Sequence, residues 1–194
     1  MLFSTVVSLF LVINAVGNIP LFISLLARFE PKDQRRIIIR ELILAFAVLL
    51  LFNYFGNHIL RLLQITRPII GIAGGILLFL TALGMIFPKE ESTEPPLHEP
   101  IFVPLAMPVI AGPGAITFVM AYASQVQNSW LMTLAIFLAW LPSLLILLAA
   151  SNIKYFLGKK GLTAIERFGG MIVTLIAINM LISGLVQLIK ESFF

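Results

Sequence analysis

Two stretches of this sequence carry residue types and spacings from which chemistry could be built. The first is Asn14-Ala15-Val16-Gly17-Asn18-Ile19-Pro20. The second is Pro104-Leu105-Ala106-Met107-Pro108-Val109-Ile110-Ala111-Gly112-Pro113-Gly114-Ala115-Ile116-Thr117. Proline removes a backbone donor and crowds the preceding turn, and glycine permits non-helical angles, so each stretch predicts an interrupted helix. A helix that resumes after an interruption presents unpaired amides and the positive end of its dipole, which suit a carboxylate. A helix that stops before one presents carbonyls, which suit an ammonium group or a cation. Asn14 and Asn18 can donate and accept hydrogen bonds, and Thr117 adds a hydroxyl. Together these groups fit a small zwitterion. The candidate substrate-binding residues are Asn14, Gly17, Asn18, Pro20, Pro108, Gly112, Pro113, Gly114 and Thr117, with Asn179 as a further candidate. On this reading, leucine at Gly112 or Gly114 fills the space that a carboxylate would occupy beside the amides.

Other chemistry lacks its reagents. The chain has no cysteine, which excludes a disulfide framework, a Cys-ligated zinc site and a thiol nucleophile. Asp33 is the only aspartate, and His58 and His98 are the only histidines. Acid–base or nucleophilic catalysis needs a positioned His, carboxylate, Cys or activated Ser, and a metal site meets the same shortage of ligands. An enzyme is therefore not expected, nor is a cofactor or a bound metal. Glu41 and Glu166 fall at span edges beside Arg40 and Arg167. Coupling to H+ through such carboxylates, coupling to Na+ through carbonyls, and uncoupled diffusion are all open.

The elements that must position these groups follow from composition. The chain has 194 residues, 60% hydrophobic and 11% charged, with a mean hydropathy of +1.05, whereas a soluble domain is about 25% charged. This composition predicts a polytopic protein whose surroundings are the lipid bilayer. Apolar runs cover Leu2 to Leu26, Ile37 to Phe55, Pro68 to Phe87, Ile101 to Ser124, Trp130 to Ala150 and Phe168 to Ile189. Each approaches or exceeds the roughly 20 residues that span a hydrocarbon core. The first run precedes the first charge, Arg28, so it does not read as a removable leader. The net charge of +4 does not point to nucleic acid, because ten of the thirteen Lys and Arg lie in the first, third and fifth linkers. The positive-inside rule puts those linkers in the cytoplasm and both termini outside, as in a multi-pass inner-membrane protein.

The two halves of the chain resemble each other. Ala73 to Met85 lies over Phe168 to Met180, so that Gly74 and Gly169, Gly75 and Gly170, Ala82 and Ala177, and Met85 and Met180 coincide at one offset. The same offset lays Gly17 over Gly112. Three spans per repeat is odd, so the second copy must cross the membrane upside down, a recurring plan of secondary transporters. The expected fold is all-α: six transmembrane helices as two inverted-topology three-helix repeats, with the first helix of each repeat broken near the midplane. It forms a single transmembrane domain over 1–194, with a first repeat at 1–88, an acidic cytoplasmic loop at 89–100 and a second repeat at 101–194. Gly71, Gly74, Gly75, Gly169 and Gly170 are expected to allow close helix packing, and Pro142 reads as a structural kink. Asn179, matched by Gly84, suits either interhelical hydrogen bonding or cavity lining. Trp130 reads as an interfacial anchor.

Asn14 to Phe22, Gly71 to Phe79, and Pro104 to Pro108 with Gly112 to Thr117 together carry a family likeness. The chain resembles the MarC family of bacterial and archaeal inner-membrane proteins over nearly its whole length. Where that family often carries Asn-Pro or Asp-Pro, this sequence has Asn14-Ala15, which shifts the weight of the first break to Gly17 and Pro20. The resemblance implies six spans and transport of small neutral amino acids such as glycine and alanine. The rival readings are a channel or exporter of another small solute and a non-transporting membrane scaffold, each with a homo-oligomer as an option.

Overall fold

The computed structural model describes residues 2–27, 29–87, 110–125 and 129–193. The acidic loop 89–100, Pro104 and Pro108 lie outside the described residues. The elements are α1 (Leu2–Ile13), α2 (Ile19–Leu26), α3 (Pro31–Leu62), α4 (Arg67–Ile86), α5 (Pro113–Gln125), α6 (Ser129–Leu148) and α7 (Ala150–Phe193). Among the described residues every regular element is helical. Four helical stretches are long and apolar enough to cross a membrane: Pro31–Leu62, Pro68–Ile86, Ser129–Leu148 and Lys160–Glu191. Two shorter apolar helices, Leu2–Ile13 and Pro113–Ala123, occupy the runs in which interruptions are expected.

Helix boundaries follow local chemistry and differ from the apolar runs in an instructive way. α3 starts at Pro31, where a missing N–H costs nothing, and continues through the charged segment Lys32 to Arg36. Lys, Arg and Gln are good helix formers, so the helix begins before the hydrophobic run, and it continues past Phe55 to Leu62. It stops where Gln64 adopts φ 56°. The fifth linker is likewise helical rather than a loop: α7 runs through it with one break, at Gly158 with φ 64° and ψ 178°. That conformation is open to glycine and strained for other residues.

α4 and α7 pack antiparallel along a seam of small residues, as anticipated for Gly74, Gly75 and Gly170. A Cβ placed on Gly75 would lie 2.9 Å from the Ala177 carbonyl oxygen, and one on Gly170 would lie 3.1 Å from that of Ala82. Gly74 meets Met180, and Gly169 meets Met85. Gly71 faces Gly184, whose own added Cβ would lie 2.9 Å from Ile72 N. With no hydrophobic drive between helices in lipid, this closeness of backbones is what holds such a pair. Gly84 has nothing within 4 Å and faces outward.

Around this pair, α5 packs on α4 and α3, α1 packs on α6, α5 and α7, and α6 packs on α3. Trp140 Nε1 donates to the Leu42 carbonyl at 2.8 Å, which ties α6 to α3. Trp130, at the start of α6, is exposed. α6 continues through Pro142.

Candidate functional site

The first interruption is a closed turn built by two asparagines. α1 ends at Ile13, and Asn14 adopts φ 52°, the left-handed conformation that asparagine tolerates better than most residues. The Asn14 amide N–H is shared between the carbonyls of Phe10 and Leu11 at 3.2 and 3.1 Å. Asn14 Oδ1 accepts from Gly17 N at 3.2 Å. Asn18 closes the turn from the other side: its Nδ2 donates to the Ile13 carbonyl at 3.2 Å and its N–H to the Asn14 carbonyl at 3.1 Å. α2 then begins, with Pro20 in its first turn, where proline fits without breaking the helix.

This geometry corrects two expectations. Gly17 is not needed for its conformational freedom, because it does not have a positive φ. It is needed for space: an added Cβ would lie 2.5 Å from Asn14 Oδ1. The break therefore rests on Asn14 as much as on Gly17 and Pro20. The hydrogen-bonding capacity of Asn14 and Asn18 is also partly spent within the turn, and among the described residues Asn14 Nδ2 and Asn18 Oδ1 have no partner. All four residues are half-buried.

Of the second interruption, the described part begins at Ile110. Ile110 to Gly112 precede α5, and the Gly112 carbonyl accepts from Ile116 N at 3.0 Å. Pro113, exposed, opens the helix and has no N–H. The amides of Gly114 and Ala115 have no acceptor among the described residues. These are the donors that a helix start offers to an anion. Ala15, Ile19, Ala111, Ala115 and Phe118 share one buried cluster, which brings the two interruptions into the same core.

Two further candidates turn away from an open site. The space beside the Gly114 Cα belongs to Leu78, whose Cδ2 would lie 2.7 Å from an added Cβ, so leucine there collides with α4 rather than filling a carboxylate pocket. Thr117 also meets α4, at Gly74. Its hydroxyl bonds back to the carbonyls of Pro113 at 2.8 Å and Gly114 at 3.1 Å. Gly112 is half-buried at the turn. Asn179 is exposed on the outer face of α7, beside Leu175 and Ile182. Neither interhelical hydrogen bonding nor cavity lining is seen for it among the described residues, because the face of α7 that packs inward carries Gly170, Val173, Ala177, Met180 and Gly184.

One buried polar residue, Asn53, has no place among the sequence candidates, and one expected span-edge carboxylate, Glu41, is buried. Asn53, on the inner face of α3, donates from Nδ2 to Ser129 O at 3.3 Å and Thr133 Oγ1 at 3.1 Å, while its buried Oδ1 has no donor among the described residues. A single Asn inside an apolar run was the available signal. Glu41 is only 2% exposed, deeper than a span edge implies, and is paired with Arg40 at 2.9 Å. Among the described residues, no three His, Cys, Asp or Glu side chains are grouped to hold a metal.

Comparison with known proteins supplies a family. The profile described as MarC family integral membrane protein matches residues 1–189. The chain is 39% identical over 186 residues to the UPF0056 inner membrane protein YhgN of Escherichia coli K12, covering 94% of each chain. It is 40% identical over 188 residues to a UPF0056 membrane protein of Chlamydia trachomatis, covering 95% of this chain and 92% of that one. A UPF0056 membrane protein of Buchnera aphidicola from Acyrthosiphon pisum is 34% identical over 185 residues, with 94% of each chain covered. No solved structure matches the chain.

Proposed function

The chain belongs to the MarC family of integral membrane proteins, and we propose that it is a secondary transporter of small neutral amino acids such as glycine, alanine and serine. It acts without catalytic chemistry. The observation that carries this reading is the pair of interruptions, Asn14 to Asn18 before α2 and Ile110 to Gly112 before α5, which contribute to one buried cluster. Irregular backbone at membrane depth is tolerated where it is buried in protein or lines a cavity, and a scaffold has no need of two such breaks. The amides of Gly114 and Ala115, without an acceptor among the described residues, suit a carboxylate, and Asn18 Oδ1 can accept from an ammonium group. A charged substrate side chain would be buried there without a counter-charge.

The inverted-repeat arrangement belongs to the same proposal, and the reciprocity of the α4–α7 seam supports it. Gly75 meets Ala177 as Gly170 meets Ala82, and Gly74 meets Met180 as Gly169 meets Met85. Each pair of contacts exchanges under the offset that aligns the two halves, which is what a two-fold relation between α4 and α7 produces. α2 packs on α7 as α5 packs on α4. Relatives named as inner membrane proteins and the distribution of Lys and Arg support an inner-membrane location, with the first, third and fifth linkers in the cytoplasm.

The test is uptake of labelled glycine, alanine and serine by the purified protein in liposomes, with and without H+ and Na+ gradients. Saturable flux of these solutes, with arginine, glutamate and tryptophan handled poorly, is the expected result. Non-saturating flux of many solutes would make the protein a channel, and no flux of any solute would make it a scaffold.

A further inference from the structure

Resting on the transport reading, we infer that the cavity between α2, α3 and the α6–α7 corner is the cytoplasmic access path by which a carboxylate-bearing solute reaches the interrupted helices. The cavity holds about 380 Å³, within the range of about 300–1,000 Å³ of small-molecule sites. It is graded from end to end. Its floor is apolar and closed, with Phe22 1% and Leu147 0% exposed. Its mouth is polar and exposed, with Arg35, Ser151 and Asn152 at the surface.

The floor lies next to the first interruption. Phe22 N donates to the Asn18 carbonyl at 3.0 Å, so the cavity ends about one helical turn, or about 5.4 Å, from the turn that Asn14 and Asn18 build. Phe22 is the barrier between cavity and break. Gln34, also in the lining, is committed to the wall, because its Nε2 donates to the carbonyls of Leu26 at 3.0 Å and Phe29 at 2.9 Å. Arg35 is different. It has no ion pair among the described residues, and its guanidinium at the mouth is suited to a carboxylate by charge and by geometry. The rim is drawn from the first and fifth linkers, both rich in Lys and Arg, which assigns the mouth to the cytoplasmic side.

The absence of cysteine allows a direct test. Ser151→Cys at the mouth and Tyr155→Cys outside it, 93% exposed on the same helix, are placed singly in the full chain and assayed in inside-out membrane vesicles. Each is treated with a cationic, impermeant methanethiosulfonate, and alanine flux is measured before and after. Modification of Ser151→Cys is expected to lower alanine flux at least about tenfold, and excess alanine should slow that modification. Modified Tyr155→Cys should keep its flux. Arg35→Gln is expected to raise the half-saturating alanine concentration about tenfold with little change in maximal rate, the scale of a lost charge-assisted hydrogen bond. Unchanged flux after complete modification at Ser151→Cys overturns the access path while leaving the transport reading in place. An unchanged half-saturating concentration for Arg35→Gln removes the carboxylate role from the mouth. Absence of alanine flux in the unmodified protein overturns both readings.

Discussion

If the first interruption is held by Asn14 folding back on Gly17, the two positions must be energetically coupled. Asn14→Ala removes the acceptor of the Gly17 amide, worth about 0.5–1.5 kcal/mol, and forces an alanine to φ 52°, at about 1–2 kcal/mol. The expected loss of stability is about 2–3 kcal/mol. Asn14→Gly loses the same hydrogen bond but adopts that φ freely, so its loss should be about 1 kcal/mol. Gly17→Ala should cost about 1–3 kcal/mol in the natural chain, because its Cβ lands 2.5 Å from Asn14 Oδ1 and must expel the amide. In the Asn14→Gly background the three nearest atoms, all of the Asn14 amide, are gone, and Gly17, which lacks a positive φ, should accept alanine at little cost. The coupling energy should therefore be about 1–2 kcal/mol. Unfolding of the four proteins by dodecyl sulfate in mixed micelles, followed by the fluorescence of Trp130 and Trp140, measures it. A Gly17→Ala penalty that is the same in both backgrounds would refute the geometry, as would equal stability of the Asn14→Ala and Asn14→Gly proteins.

The seam makes a second demand. Gly75→Ala and Gly170→Ala each drive a Cβ toward a backbone carbonyl of the partner helix and should destabilise by about 1–3 kcal/mol in the same micelle assay, whereas Gly84→Ala, with open space around it, should stabilise by up to about 1 kcal/mol through helix propensity. Similar values at Gly75 and Gly170 are what a two-fold seam requires, and a neutral result at either speaks against it. Orientation is tested by thiol labelling in intact cells with an impermeant reagent. A cysteine at Leu62, 83% exposed beyond the second run, should react, and one at Tyr155 should be shielded. The opposite pattern would invert the topology.

Much of this architecture is legible in the sequence because bilayer physics leaves few options. Apolar runs of about 20 residues must be helical, and the positions of Pro20, Pro113 and the Gly-rich seam mark where helices stop or touch. Helix length was less legible. Lys32 to Arg36 and the segment around Lys154 read as linkers by charge, yet both are helical, because charge decides immersion in lipid and not backbone conformation. Burial inside the bundle was the other weak point. An apolar run does not reveal which of its faces meets lipid, so Asn179 reads inward although it faces out, Asn53 gives no sign of its burial, and Glu41 reads as a span-edge residue although it is buried. Gly114 shows the same limit: the residue type signals close approach, but only the packing shows that Leu78 is what approaches.

The sequence alignment treats the two interruptions as equivalents, and the hydrogen bonds make them different. In the first, the side chain of Asn18 takes the Ile13 carbonyl, its backbone takes that of Asn14, and the side chain of Asn14 takes the Gly17 amide. The groups freed by ending α1 are thus largely consumed by the turn itself. In the second, proline at the first position removes one donor, Gly112 accepts from Ile116, and the amides of Gly114 and Ala115 have no acceptor among the described residues. The difference arises because asparagine can cap a helix end in both directions with one side chain, while Pro113 and Gly114 have no side-chain donor or acceptor to offer. A carboxylate is therefore better served at the start of α5 than at the start of α2. The first interruption, shaped by Asn14 and bordered by Phe22, is suited to form the wall and the barrier of the same passage.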